Sequence, residues 1–417
     1  MHTPDVEPRG PERASRFVPV ALTKPVLASA LGIDGGAVFQ ILAVENLGLS
    51  PSAIGIAFGL GLLSLPFQLW AARMPLRFAR RNVQIFLLLA ALQSGLLAWL
   101  VAIGATGGLA ATALAVTITA EIAISVLYVT AWQPLLSTRV RSRDRQRINA
   151  GWNAAGRGLL AGFLIVFSAF EGIGRSLLLA ALAFIAIGVA VSFGRVTVPA
   201  TSTPAPRESP TRQRPPRLPP VLWWILGSFA ALHLGALPLW LVYLSAAIWP
   251  TADLGAIGAI QTVAVVAALL VWRPTNGGLG SRAMIGVLLV VAGSIALVGV
   301  GESAEGVGEH VGVVLVTISM TFGMTYAGLA LLEMAHRIVE RQQHVVRVFT
   351  IIDVVDSSAL QLGLFIGGFL VTSSVQTGTS TPYVAFVVAM SILALAAVWR
   401  TVRLTAKTAP GDGANER

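Results

Sequence analysis

The sequence predicts an all-α integral membrane protein, with twelve transmembrane helices in two pseudo-symmetric six-helix bundles. Three observations predict it. Of the 417 residues, 55% are hydrophobic and only 12% are charged, against roughly a quarter charged in a soluble domain. Apolar stretches of about 20 residues, enough to cross hydrocarbon as a helix, recur along the whole chain. Arginines cluster in alternate loops between those stretches. Such an apolar surplus cannot hide in one water-soluble core, because cores stop growing at a few hundred residues.

Residues 1–17 are polar and form a cytoplasmic tail. The apolar run that follows outlasts the hydrophobic core of a cleaved signal, so it is read as a retained helix. The expected spans are 18–45, 51–72, 83–104, 108–134, 147–170 and 174–194 in the first bundle. The second holds 220–248, 252–272, 283–301, 311–335, 347–373 and 382–401. None alternates like the strands of a membrane barrel, and helices satisfy their own backbone, as lipid demands. Residues 195–219, rich in Pro, Arg, Ser and Thr, read as an extended cytoplasmic linker between bundles 18–194 and 220–403. Residues 404–417 form the second tail.

Orientation follows from the loops. Arg73, Arg77, Arg80 and Arg81 follow the second span, and Arg139, Arg141, Arg143, Arg145 and Arg147 follow the fourth. Arg273 and Arg282 follow the eighth, and Arg337, Arg341 and Arg347 surround the connection from the tenth to the eleventh. The intervening loops are nearly bare of positive charge, with Arg175 the exception. This bias places both termini in the cytoplasm and the chain in the cytoplasmic membrane. The net charge of +10 is therefore not a nucleic-acid surface. With no cysteine, disulfides and thiolate metal sites are excluded. No phosphate-binding loop and no His-Glu-x-x-His occur, so neither ATP-driven chemistry nor a zinc site is expected, and no cofactor is required. The halves also echo each other at an offset near 200: SPSAIG ending at Gly55 matches PTADLG ending at Gly255, and Arg73-Met74-Pro75 matches Arg273-Pro274.

Six helices, a basic linker and six more helices resemble the major facilitator superfamily over residues 18–403. The family's Gly-x-x-x-Asp-Arg-x-Gly-Arg-Arg stretch after the second helix corresponds to Ala72-Arg73-Met74-Pro75-Leu76-Arg77-Phe78-Ala79-Arg80-Arg81. The basic residues persist, both glycines are alanine, and the acidic latch is Leu76. The resemblance implies a cytoplasmic gate at Arg73, Arg77, Arg80 and Arg81 without its usual acidic partner. The family's fourth-helix arginine is missing, and Glu121 lies in that helix. Gly158-Leu-Leu-Ala-Gly162 stands where related antiporters carry a glycine-rich fifth-helix pattern, and suggests close helix packing. The resemblance further implies a monomer that carries a small molecule by alternating access, and no enzymatic activity.

Ionisable side chains inside spans cost at least about 2.5–3.5 kcal/mol each, which makes them functional candidates. Asp34 lies midway along the first span beside Gly35 and Gly36. A carboxylate there that gains and loses a proton is what a proton-coupled carrier requires. Asn149, Asn153 and Arg157 recur every four residues on one face of the fifth span. Arg157 must find a carboxylate or an anionic ligand, and Glu121 and Asp34 are the candidate carboxylates. Asp353 and Asp356 lie three apart in the eleventh span, where two close carboxylates can trade a proton. His233 in the seventh span is a candidate proton carrier, against the plainer reading of a packed histidine. Gln40 and Gln261 are candidate substrate contacts. Lys24, Glu45 and Glu333 lie near span ends and are read as snorkelling. Proton coupling is accordingly assigned to Asp34, Glu121 and Asp356, and substrate contact to Arg157, Asn153, Gln40, His233, Gln261 and Asp353. Four acids against one arginine suit protons together with a neutral or cationic amphipathic compound, with efflux the preferred direction. Uptake of a metabolite, with an anionic one docked on Arg157, is the alternative within the class, and a non-transporting receptor or assembly partner the alternative outside it.

Overall fold

The computed structural model describes residues 17–32, 36–71, 78–137, 142–195, 219–235, 237–272, 278–300, 307–339 and 345–408. Eleven helices among them are long and apolar enough to cross a membrane. The first expected span is divided into α1 (Val18–Ala30) and α2 (Ala37–Ile41), the latter ending in a π turn, Leu42–Asn46. The second span is α3 (Pro51–Leu60), a 3-10 turn (Gly61–Ser64) and α4 (Leu65–Ala71). Then come α5 (Ala79–Ala102), α6 (Gly107–Ser137), α7 (Ser142–Ser168) and α8 (Ile173–Gly194).

The second half repeats the design. The seventh span is divided into α9 (Pro220–Gly235) and α10 (Trp240–Tyr243), again ending in a π turn, Leu244–Ile248. It continues with α11 (Leu254–Val271), α12 (Leu279–Val300), α13 (Val307–Val339), α14 (Val345–Thr377) and α15 (Thr381–Thr408). Several helices outrun their apolar stretches: α7 begins at Ser142 and α15 ends at Thr408. A helix needs an apolar surface only where lipid surrounds it, so hydropathy marks the crossing rather than the helix end.

Span ends alternate between two faces. The terminal face carries the start of α1 and the end of α15; there Phe17 packs edge-on against Trp132 and Phe193, with centroids 5.6 and 5.7 Å apart. The far face carries the turns at 47–50, 103–106, 169–172, 249–253 and 378–380. Leu63, Leu92, Phe184 and Ile295 stand exposed on the outside of the bundle, as lipid-facing side chains do.

Helix caps fix the register of the two halves. Ser50 Oγ accepts from the Ala53 amide at 3.3 Å, and Asp253 Oδ1 accepts from the Ala256 amide at 3.0 Å. Each satisfies an orphan donor at a helix start. These caps lie 203 positions apart, while Gly55 meets Phe365 and Gly368 on α14 as Gly255 meets Leu164 and Ser168 on α7, at the offset near 200 of the matched hexapeptides. The halves meet through glycines in the far half of the bundle. A Cβ on Gly55 would stand 2.9 Å from Gly368 Cα, and one on Gly258 would meet Ala37 Cβ at 3.1 Å. By contrast Gly158 and Gly162 touch no neighbour. Their expected role in close packing belongs to Gly156, where a Cβ would stand 2.8 Å from the Ala21 carbonyl and 2.9 Å from Pro25.

Candidate functional site

The seventh span breaks because its sequence denies it a continuous ladder. Pro238 has no N–H to donate, and Leu237 and Leu239 adopt positive φ of 44° and 55°. Such angles are strained for branched side chains and persist only where the surroundings enforce them. Here α14 supplies the enforcement. Gly363 and Gly367 leave room for the break, so that added Cβ atoms would lie 2.7 Å from the Leu234 carbonyl and 3.0 Å from Pro238. Tyr383 donates its hydroxyl to the freed Pro238 carbonyl at 3.0 Å and stacks on Tyr243 at 3.9 Å. Trp240 donates to Thr317 Oγ1 at 2.9 Å. In the first span, Ser29 Oγ accepts from the Val38 amide at 3.2 Å and caps the restarted helix.

The break leaves His233 in the last turn of α9. Its Nδ1 is hydrogen-bonded to the Phe229 carbonyl at 3.1 Å and lies 2.6 Å from Asp356 Oδ1 on α14, an ion-pair contact that leaves this buried oxygen without a hydrogen bond. The side chains are 19% and 35% exposed, enclosed but reachable by water. One turn further along α14, Gln361 donates to Ser357 Oγ at 3.0 Å, while its own Oε1 is buried without a hydrogen-bond partner. The contact of His233 with Asp356 joins α9 to α14.

Of the other candidates, Asp34 lies outside the described residues, as do Arg73 and Arg77. Glu121 and Asp353 are residues of α6 and α14 whose side chains are likewise outside the description. Arg80 and Arg81 open α5, half-buried and exposed respectively. Gln40 is buried in α2, and Gln261 is half-buried in α11. Asn153 and Arg157 are half-buried on α7, and no carboxylate pairs with Arg157 among the described residues. The structure thus joins His233 to Asp356, two residues read separately in the sequence.

Two clusters had not been anticipated. Tyr243, Tyr383 and Trp240 brace the break, and only Gly235 and Pro238 marked it in the sequence. Arg175, the exception to the charge bias, bridges Glu45 at 2.6 Å and also donates to Asn46 Oδ1 at 2.9 Å and the Phe167 carbonyl at 3.1 Å. A fully satisfied arginine of this kind carries no orientation signal.

No family model and no curated protein matches the sequence itself. Solved structures do resemble the fold. A mutant of the nucleoside transporter NupG matches with a TM-score of 0.64 at 11% identity, covering 94% of this chain and 99% of that one. A bacterial homolog of the human lysosomal transporter Spinster, inward-facing and unoccupied, matches with a TM-score of 0.62 at 13% identity, covering 95% and 98%. A bacterial metal transporter matches with a TM-score of 0.58 at 14% identity, covering 95% and 99%. With two half-bundles, a divided first span in each and agreement over nearly the whole chain, the protein has the fold of the major facilitator superfamily.

Proposed function

We propose that the protein is a secondary active transporter that moves a small amphipathic compound by alternating access, coupled to protons through His233 and Asp356. What supports the reading is a two-halved transporter fold with an acid–imidazole pair held between α9 and α14. The terminal face is cytoplasmic in this reading, because the arginine-rich loops lie there. Glycine contacts hold the halves together near the far face, and rocking of the halves would expose a central site to each side in turn.

Protonation of the pair changes its charge and therefore the cost of enclosing it, which biases the equilibrium between the two openings. Export is the direction proposed. The fold leaves the cargo open, since by name the similar structures handle nucleosides in one case and metal in another. Three of the four acids behind the expected preference for neutral or cationic compounds lie outside the described side chains, whereas Arg157 lies within them.

The test uses proteoliposomes containing a pH-sensitive dye, with an imposed proton gradient and a panel of cationic, neutral and anionic amphipathic compounds. Wild type should give compound-dependent proton flux. Asp356→Asn and His233→Asn should each reduce it at least about tenfold, the span typical of losing one proton-transfer group, and Asp34→Asn is run beside them. Normal coupling in both variants would remove the pair from the mechanism. Saturable binding with no flux of any compound would make the protein a receptor.

A further inference from the structure

We infer that Arg157 anchors an anionic group, a carboxylate or phosphate of a soluble amphipathic ligand, in the cleft between the halves. The inference rests on the transport reading only in calling that ligand the cargo.

Depth and direction come first. Arg157 lies seven residues into the apolar stretch Ala150–Ser168 of α7, about 10 Å along the helix. Leu164, two turns further on the same face, packs against α11: its carbonyl would stand 2.9 Å from a Cβ on Gly255, and its side chain 3.5 Å from one on Gly258. Leu159 and Val166 on the opposite face are exposed to the outside. Arg157 therefore points toward the other half, below the level at which glycines seal the two together.

Its lack of partners comes second. Arg175 has Glu45 and two further acceptors, and Arg337 has Glu333. Arg282, Arg400 and Arg403 lie over tryptophan rings. Arg157 has no such contact among the described residues. Lys24, on α1, has a ring contact in place of a carboxylate. It sits beside the Ala21–Pro25 step that Gly156 packs on, and its ammonium lies 5.7 Å from the Tyr128 ring with no carboxylate among the described residues. Two cations thus flank the contact between α1 and α7.

Asp356 lies on α14, in the other half. It is already committed to His233. An uncompensated charge at the depth of Arg157 costs at least about 2.5–3.5 kcal/mol, which a chain retains where water and a ligand fill the space. A guanidinium offers a planar fork that fits a carboxylate or phosphate with two parallel hydrogen bonds.

The test is binding in neutral detergent micelles, with three probes on one skeleton: phenylbutyrate, its amide, and phenylbutylamine. Phenylbutyrate should bind wild type at least about tenfold more tightly than the amide, as one charge-assisted pair warrants. That preference should vanish in Arg157→Gln and persist, reduced, in Arg157→Lys. Empty Arg157→Gln should melt no lower than wild type, since it sheds an uncompensated charge. A lowered melting temperature would mean that a carboxylate of the chain holds Arg157, and would overturn the proposal, as would equal binding of amide and acid. Competition by phosphatidylglycerol would overturn the assignment to a soluble ligand and give the site to a lipid headgroup. Flux assays separate the two readings. Anion binding at Arg157 with no transport would sink the transport reading alone. Transport indifferent to anionic groups and to Arg157→Gln would sink this one alone.

Discussion

Arg175 enters the bundle at the far face with its donors engaged: a carboxylate, an amide oxygen, a backbone carbonyl and the face of Phe167, 5.2 Å from the ring centroid. It ties the start of α8 to the π turn of the first span and to the end of α7. Removing one partner of such a pair leaves the other desolvated and unpaired, at a cost of about 2 kcal/mol or more. Arg175→Ala should therefore lower the melting temperature in detergent, and Arg175→Lys should not restore it, because one ammonium cannot match that spread of acceptors. A melting temperature equal to wild type would make the bridge ornamental. Arg157, with no such contacts, should behave oppositely when truncated. The contrast between these two arginines distinguishes structural charge from functional charge.

The two divided spans are the elements most specific to this fold. Each is an apolar helix interrupted near its middle and finished by a π turn, and each is braced by small residues on a neighbour. On α14, Gly368 meets α3 so closely that an added Cβ would stand 2.6 Å from the Pro51 carbonyl and 2.7 Å from Gly55 Cα. Both contacts are with backbone, which cannot step aside as a side chain could. Gly368→Val should force α3 and α14 apart and shift the population toward opening at the far face. A cleft of about 250 Å³ lies there, lined by Glu45, Leu49, Val242, Ser245 and Ala252 among others. Because the chain has no cysteine, a thiol introduced as Ser245→Cys is unique. A membrane-impermeant maleimide should label it several-fold faster in the Gly368→Val background; an unchanged rate would mean that the glycine contact does not govern closure.

At the scale of the whole molecule, the alternating-access proposal predicts that the contact between the halves governs which face is open. Ala37 on α2 and Gly258 on α11 belong to opposite halves, and their β-carbons would lie 3.1 Å apart, close to the separation a disulfide needs. Oxidising the double variant Ala37→Cys/Gly258→Cys should lock the far face shut and abolish transport, and reduction should restore it. Transport that survives complete cross-linking would rule out rocking about this contact. Membrane potential then bears on direction. A monoanion leaving an inside-negative cell gains about 2.3 kcal/mol per 100 mV, so an anionic ligand at Arg157 makes export the electrically favoured direction, and a proton entering in exchange adds to it.

The sequence by itself determined the solvent, the all-helical membrane class and where the apolar stretches fall. Those are properties of local composition and of the cost of placing backbone and charge in hydrocarbon, and they are legible without knowing which helices touch. It also picked out Arg157, His233 and Asp356 as side chains too costly to lie in lipid. Tertiary structure decided which of them meet. His233 and Asp356 lie 123 positions apart, and nothing in their spacing joins them; α9 must break at Pro238 and seat against Gly363 for the ring to reach the carboxylate. The same holds for Arg175, whose charge argued against the topology until Glu45 was found beside it, and for Gly156, which packs where Gly158 and Gly162 do not. Pairing between distant spans depends on helix rotation and depth, set by side-chain shape at contacts that composition and periodicity do not encode.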